Sequence, residues 1–236
     1  MLNAIRHNAK KLYSALIYRA KVSKKTEQGI ADRFHELVYD AGTLNRAWGT
    51  STWFGVPCRK LPFDLWAYQE ILNEVKPDLI IETGTFKGGS ALYLAHLCDL
   101  LGQGEIVTVD VEDHGGHPTH PRITYMSGSS TDPKIVAQIK ARAAKAQRVL
   151  VILDSDHSYK HVRDELAAYA PLVTIGSYVV VEDTNINGHP VYKEFGPGPH
   201  EAATEFVKAH KNFINDKKRE QFYVSFNVDG YLKRIS

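Results

Sequence analysis

The 236-residue chain has little of what would take it outside ordinary globular folds. It holds two cysteines, Cys58 and Cys98, too few and too far apart for a disulfide framework, so a reducing cytoplasm is the expected compartment. Gly (17) and Pro (10) are near average use, which excludes collagen-like repetition and broad disorder. Long apolar runs are missing: no stretch reaches the roughly 18 residues that a membrane-crossing helix needs. No uninterrupted apolar segment follows the first basic residues, as a secretory signal would require. Charge of one sign is missing too. With 29 Lys+Arg against 27 Asp+Glu the net charge is +2, so the bulk field offers no case for nucleic acid as a partner. Internal repeats are absent. What is present, 43% apolar residues, is enough to bury one sizeable core.

The charge is unevenly spread. Residues 1–25 carry Arg6, Lys10, Lys11, Arg19, Lys21, Lys24 and Lys25 and no acid, with Leu12, Leu16 and Ile17 at roughly helical spacing. The expectation is an amphipathic helix packed on the body; a weak membrane-surface contact is the sharper alternative. Residues 1–50 are read as an N-terminal helical extension and residues 51–236 as the main domain.

From residue 62 onward helical and strand-like segments alternate. Asp64 is expected to cap a helix running to Val75, with Pro77 closing it. Strands are expected at Leu79–Glu82, Glu105–Asp110, Ile123–Met126, Arg148–Asp154 and Gly176–Asp183. Helices are expected at Ser90–Leu101, Pro133–Ala146 and Tyr159–Tyr169. Near-continuous apolar strands separated by helices indicate an α/β fold with a mostly parallel sheet covered on both faces. A helix near Ala202–His210 and alternating segments at Phe222–Phe226 and Tyr231–Ile235 suggest a closing antiparallel hairpin.

In such a sheet ligands bind beyond the carboxyl ends of the strands. The first strand runs into Glu82-Thr83-Gly84-Thr85-Phe86-Lys87-Gly88-Gly89-Ser90, where glycines let a ligand approach the backbone beside a helix start. Gly84-x-x-x-Gly88 departs from the dinucleotide fingerprint, and Glu82 would repel a pyrophosphate, so the turn suits a non-phosphorylated nucleoside better than NAD. Asp110 ends the next strand, where an acid takes ribose hydroxyls. Ser127-Gly128-Ser129-Ser130 is placed to line an adenine pocket.

Asp154, in Asp154-Ser155-Asp156-His157, and Glu182-Asp183 end two further strands and would repel one another unless a hard dication, Mg²⁺ or Mn²⁺, joined them. Asp156 is the alternative first ligand. His157 is positioned as a general base or is an ordinary helix-start residue. His114, His117 and His120 read as an active-site loop rather than a metal site. The Gly188-His189-Pro190 and Gly196-Pro197-Gly198-Pro199-His200 segments read as a second loop over an acceptor pocket. No two-histidine, one-carboxylate set of the non-haem iron type stands out.

These motifs, with Trp53-Phe54-Gly55-Val56-Pro57, Pro62-Phe63-Asp64-Leu65-Trp66-Ala67-Tyr68-Gln69-Glu70 and Gly176-Ser177-Tyr178, resemble the cephalosporin hydroxylase family over about Trp53–Val207. Its better understood members are similar to metal-dependent S-adenosylmethionine O-methyltransferases of macrolide sugars and rhamnosyl groups. The resemblance implies a Rossmann-like class I methyltransferase fold. It also implies S-adenosylmethionine held by Glu82, Gly84, Thr85, Gly88, Ser90, Asp110, Ser129 and Asp154, Mg²⁺ (or Mn²⁺) on Asp154, Glu182 and Asp183, and His157 as the base. The expected acceptor is a small-molecule hydroxyl, a sugar or diol of a glycosylated natural product, and the expected assembly is a homo-oligomer. An iron-dependent hydroxylase and a non-catalytic cofactor-binding subunit are the rival readings.

Overall fold

Apolar-rich runs become parallel strands because their side chains alternate between two faces that both need covering. The computed structural model describes residues 2–236, with side chains from Arg6 onward. Two helices, α1 (Leu2–Lys21) and α2 (Lys24–Thr43), precede a 3₁₀ turn at Ala47–Thr50 and a small antiparallel pair, β1 (Thr52–Trp53) and β2 (Val56–Pro57). The main unit then runs α3 (Pro62–Val75), β3 (Leu79–Thr83), α4 (Gly89–Leu101), β4 (Glu105–Asp110), β5 (Ile123–Ser127), α5 (Pro133–Ala143), β6 (Val149–Leu153), α6 (Tyr159–Tyr169) and β7 (Tyr178–Val181). It closes with α7 (Pro199–Ala209), β8 (Phe213–Asn215) and β9 (Tyr231–Arg234).

The sheet order is β5-β4-β3-β6-β7-β9-β8, with β3 to β7 parallel and β9 antiparallel to both neighbours. Ile81, Val107, Val151 and Val179 meet α5, α6 and α7 on one face. Ile80, Ile106, Leu150 and Val180 meet α3 and α4 on the other. The order reverses between β3 and β6, and the crevice at that switch point is where an open α/β sheet binds its ligand. Register fixes what lines it. Thr83 pairs with Val109 and Leu153, and Leu153 with Val181, so the next residues, Gly84, Asp110, Asp154 and Glu182, emerge in one row at one edge.

Four expectations need correction. The partner of the last strand is β8, not Phe222–Phe226, which is irregular. There Val224 and Phe226 pack with Leu61, Tyr39 and Trp48, while the Asp64 carboxylate accepts from Ser225 Oγ (2.6 Å), Phe226 N–H (2.9 Å) and Tyr231 OH (2.8 Å). A segment whose polar groups are taken this way joins no ladder. Asp64 is therefore a buried hub inside the first turn of α3 and not its cap, a position held by Leu61 with Pro62 at N1. Finally, α1 does not lie on the body: Leu12 (65% exposed) and Leu16 (62%) face outward, and its described polar contacts are Tyr18 and Arg19 to Glu27 of α2. The helix expected to reach Ala146 stops at Ala143.

By contrast α2 is docked. His35 is buried, stacks on Phe226 at 5.7 Å and accepts from Asn185 Nδ2 (2.9 Å), so packing runs across the residue-50 boundary.

Candidate active site

The glycine turn after β3 is forced by its neighbours. Gly84 has φ +85°, and a Cβ there would lie 1.8 Å from the Asp154 carbonyl oxygen. Gly88, at φ +76°, is the left-handed N-cap of α4, and a Cβ on Gly89 would meet the Pro57 oxygen at 2.1 Å. The carboxylate of Asp110 clamps the turn: Oδ2 accepts from Thr85 N–H and Phe86 N–H (2.9 Å each) and Oδ1 from Glu112 N–H (3.0 Å). Over this turn lies a cavity of about 410 Å³ whose walls include Gly84, Asp110, Ser129, Asp154, Asp156 and His161.

A second cavity, about 290 Å³, opens on the far side of Gly84 and Asp154. Its polar wall holds Lys60, Asp154, His157 and Asp183, with Thr85 and Ser90 beneath, and its apolar wall holds Tyr39, Trp48, Phe86, Ile186, Tyr192 and Phe195. Both cavities share Gly84, Phe86, Asp154 and Ser155.

Carboxylates crowd this shared wall. His157 Nε2 stands 3.5 Å from Asp154 Oδ1 and 3.3 Å from Asp183 Oδ2, and one ligand atom from each of the three side chains falls within 4.8 Å of the others. Lys60, buried, bridges Asp154 and Glu182 Oε2 (2.6 Å), and Tyr68 OH donates to Glu182 Oε1 (2.5 Å). Burial pushes the Glu182 carboxyl up to about 8 against the pull of Lys60, and burial likewise raises Asp183. Burial works against Asp154 too, but Lys60 and His157 hold it below the usual range. For His157 burial opposes the charged form, yet Asp183 and Asp154 outweigh it and lift the imidazole to about 9. Three carboxyl groups gathered around one lysine and one histidine offer hard oxygens in a number that suits Mg²⁺ or Mn²⁺.

Comparison with known proteins decides the family. A family model described as rhamnosyl O-methyltransferase/CmcI matches residues 45–235. The chain belongs to that family. The rhamnosyl O-methyltransferase of Mycobacterium tuberculosis (strain ATCC 25618 / H37Rv) is 39% identical over 224 residues, covering 92% of this chain and 90% of the relative. That of Mycobacterium leprae (strain TN) is 39% identical over 227 residues, 94% and 95% respectively. Among solved structures, apo CmcI superposes with a TM-score of 0.61 at 20% identity, over 79% of this chain and 76% of the other. CmcI with Mg and SAM gives 0.60 at 19%, over 79% and 77%. At those identities the structures establish the shared Rossmann-like methyltransferase fold.

Within the rhamnosyl O-methyltransferase/CmcI fold the expected residues separate. Gly84, Asp110, Ser129 and Asp154 line the first cavity, and Thr85, Ser90, His157 and Asp183 the second. Glu82 reaches neither wall: it is fully buried under the turn, where Oε2 accepts from Thr108 OH (2.7 Å) and Oε1 has no partner. Gly88 acts through its backbone conformation as the α4 cap. Glu182 is turned inward to Lys60 and Tyr68, sharing that lysine with Asp154 rather than facing Asp183. Of the three loop histidines only His114 lines a cavity; His117 stacks on Tyr125 (4.7 Å) and His120 pairs with Asp99 (3.0 Å).

Lys60, Tyr39, Trp48 and His161 were missed. For Lys60 the one available signal is arithmetic, since clustered buried acids require a nearby cation. A two-histidine, one-carboxylate set does exist, His189, His200 and Glu201, although spacing along the chain hides it.

Proposed function

We propose that this protein is a Mg²⁺-dependent O-methyltransferase that transfers the methyl group of S-adenosylmethionine to a sugar hydroxyl. The carrying observation is the register row: Gly84, Asp110, Asp154 and Glu182 leave four neighbouring strands at one edge, with a cavity on either side. The matched relatives are rhamnosyl O-methyltransferases, and CmcI has been solved with Mg and SAM.

The first cavity suits the methyl donor, with Asp110 at the ribose position, Ser129 beside the base and Gly84 opening the approach to the shared wall. The second suits the acceptor, whose apolar sugar face would pack on Tyr39, Trp48, Tyr192 and Phe195. Asp154, Glu182 and Asp183 would hold the dication, which when bound supplies Lewis acidity to the acceptor hydroxyl. Glu182, held by Lys60 and Tyr68, would have to release the lysine to join that set.

In-line transfer needs the attacking oxygen ~3 Å from the methyl carbon. Gly84, Asp154 and Ser155, common to both cavities, fix where the two reactants meet. With the charges of Asp154 and Asp183 taken up by the dication, the His157 side chain, a third exposed, would lose the pull that keeps it protonated, and Nε2 would take the hydroxyl proton as the C–O bond forms and the C–S bond breaks. Asp183 and Asp154 orient that ring. Calorimetric titration with S-adenosylmethionine and with Mg²⁺ tests the reading. Micromolar binding of the sulfonium, lost in Asp110→Ala, and Mg²⁺ binding, lost in Glu182→Ala, are expected. Absence of any S-adenosylmethionine binding by the native chain overturns it.

Two finer assignments complete the proposal. The unpaired, buried Cys58 and Cys98 support a reducing, cytoplasmic setting. The basic α1, with its apolar stripe turned outward, is assigned to an anionic lipid surface; a second copy of the chain would bring like charges together there.

A further inference from the structure

The segment between β7 and α7, together with the first turn of α7, carries a histidine cluster that methyl transfer does not use. His189 and His200 stack with centroids 3.5 Å apart. His189 Nε2 lies 2.9 Å from Glu201 Oε1, and His200 Nε2 lies 3.6 Å from Asp229 Oδ2. One ligand atom each from His189, His200 and Glu201 falls within 4.8 Å of the others. The trio is braced: Glu201 Oε2 accepts from Gly198 N–H (2.7 Å) and Oε1 also from Asn187 Nδ2 (3.0 Å). Beside it opens a cavity of about 440 Å³ that includes His189, His200 and Asp229 in its wall, giving an ion a path from solvent.

We propose that His189, His200 and Glu201 form a second metal site, for a borderline transition cation of the Zn²⁺ type, with Asp229 as the nearest further carboxylate. The donor set distinguishes it from the carboxylate centre: two imidazoles and one carboxylate select zinc-like ions over Mg²⁺, which prefers oxygen. The two rings stack at an interplanar angle of 18°, so one ring would turn to bring both in-plane lone pairs onto one ion.

The ion would clip the 184–198 segment to the start of α7. That segment supplies Ile186, Tyr192 and Phe195 to the acceptor cavity, and its far end rests on the catalytic side: Pro197 O accepts from Tyr159 N–H (3.3 Å), and the Cβ position of Gly198 is 3.1 Å from the His157 carbonyl. Loading therefore sets the acceptor wall without touching the reacting atoms.

The full-length protein, with saturating Mg²⁺ to fill the carboxylate centre, is titrated with Co²⁺ as a spectroscopic stand-in and with Zn²⁺. One equivalent with visible Co²⁺ absorption is expected, displaced by Zn²⁺, with a melting temperature raised by about 5–10 °C at a hundredfold excess over Kd. The equivalent persists in Asp183→Asn and disappears in His189→Gln/His200→Gln. Zinc-edge X-ray absorption of the Asp183→Asn protein should show two imidazole ligands, a readout that stands even if the double variant misfolds. No Co²⁺ equivalent under saturating Mg²⁺, a bound ion without two imidazoles, or an equivalent that survives the double substitution overturns the site. Because the readout is metal binding, these outcomes are separate from failure of the methyltransferase reading.

Discussion

At Gly84 a single missing carbon holds two strands' ends together. Both a left-handed φ and a backbone oxygen 1.8 Å from the Cβ position oppose any side chain. Gly84→Ala is expected to cost about 3 kcal/mol or more, because backbone atoms must move. Denaturant unfolding reads that loss, and calorimetry should show S-adenosylmethionine binding lost with it; an unchanged midpoint would contradict the geometry. Lys60 makes the complementary case. Removing one partner from a buried ion pair costs about 3–5 kcal/mol, so Lys60→Met should melt well below the native protein in EDTA. Added Mg²⁺ should recover much of the gap, since it neutralises the same Asp154 and Glu182 oxygens. Equal deficits with and without Mg²⁺ would separate the lysine from the metal position.

Among the elements, α2 is held by a contact that titrates in the acid range. Burial holds His35 at about 4, and it accepts from Asn185 as the neutral ring. The unfolded histidine titrates near 6.5, so between about pH 6.5 and 4 the unfolded state binds the extra proton and stability falls as pH falls. The contribution lost across that window is about 2–3 kcal/mol. In His35→Gln the acid limb of a stability–pH curve should be flatter over those pH values; an unaltered slope would remove His35 from the account.

The central strands were legible because each is an unbroken apolar run ended by a polar residue. Leu79–Thr83 and Val149–Leu153 lie within a residue or two of expectation. Asp110, Asp154 and Asp183 were legible for the same reason, as strand-end acids. The closing antiparallel pair was legible at Tyr231–Arg234 but its partner was not, since the alternation in Phe222–Phe226 serves packing on Leu61 and Trp48 and the Asp64 hub, not a ladder. Lys60 was hidden because lysine is ordinarily exposed, and the register that brings it under two acids is long-range. Glu82 reads as a ligand-facing acid by position, yet one residue of strand depth puts it beneath the turn.

Among the described residues α1 turns Leu12 and Leu16 outward beside its basic side chains, and α2 likewise exposes Ile30, Phe34 and Leu37. Flotation with vesicles containing anionic lipid should retain the native protein at low salt and release it as salt rises, whereas Leu12→Glu/Leu16→Glu should not float. Failure of the native chain to float, with concentration-dependent sedimentation abolished by the same substitutions, would give that face to a second copy instead.

Tyr39 and Trp48 have a consequence for re-engineering. They reach the proposed acceptor cavity from the first 50 residues, whereas every residue lining the proposed donor cavity lies at Gly84 or beyond. Two of the five aromatic residues of that wall thus lie in a contiguous cassette at one end of the chain. Transplanting that cassette from a relative with different sugar preference would change what is methylated while leaving the methyl-donor machinery as inherited. It could be selected, shuffled or replaced by recombination at a single crossover.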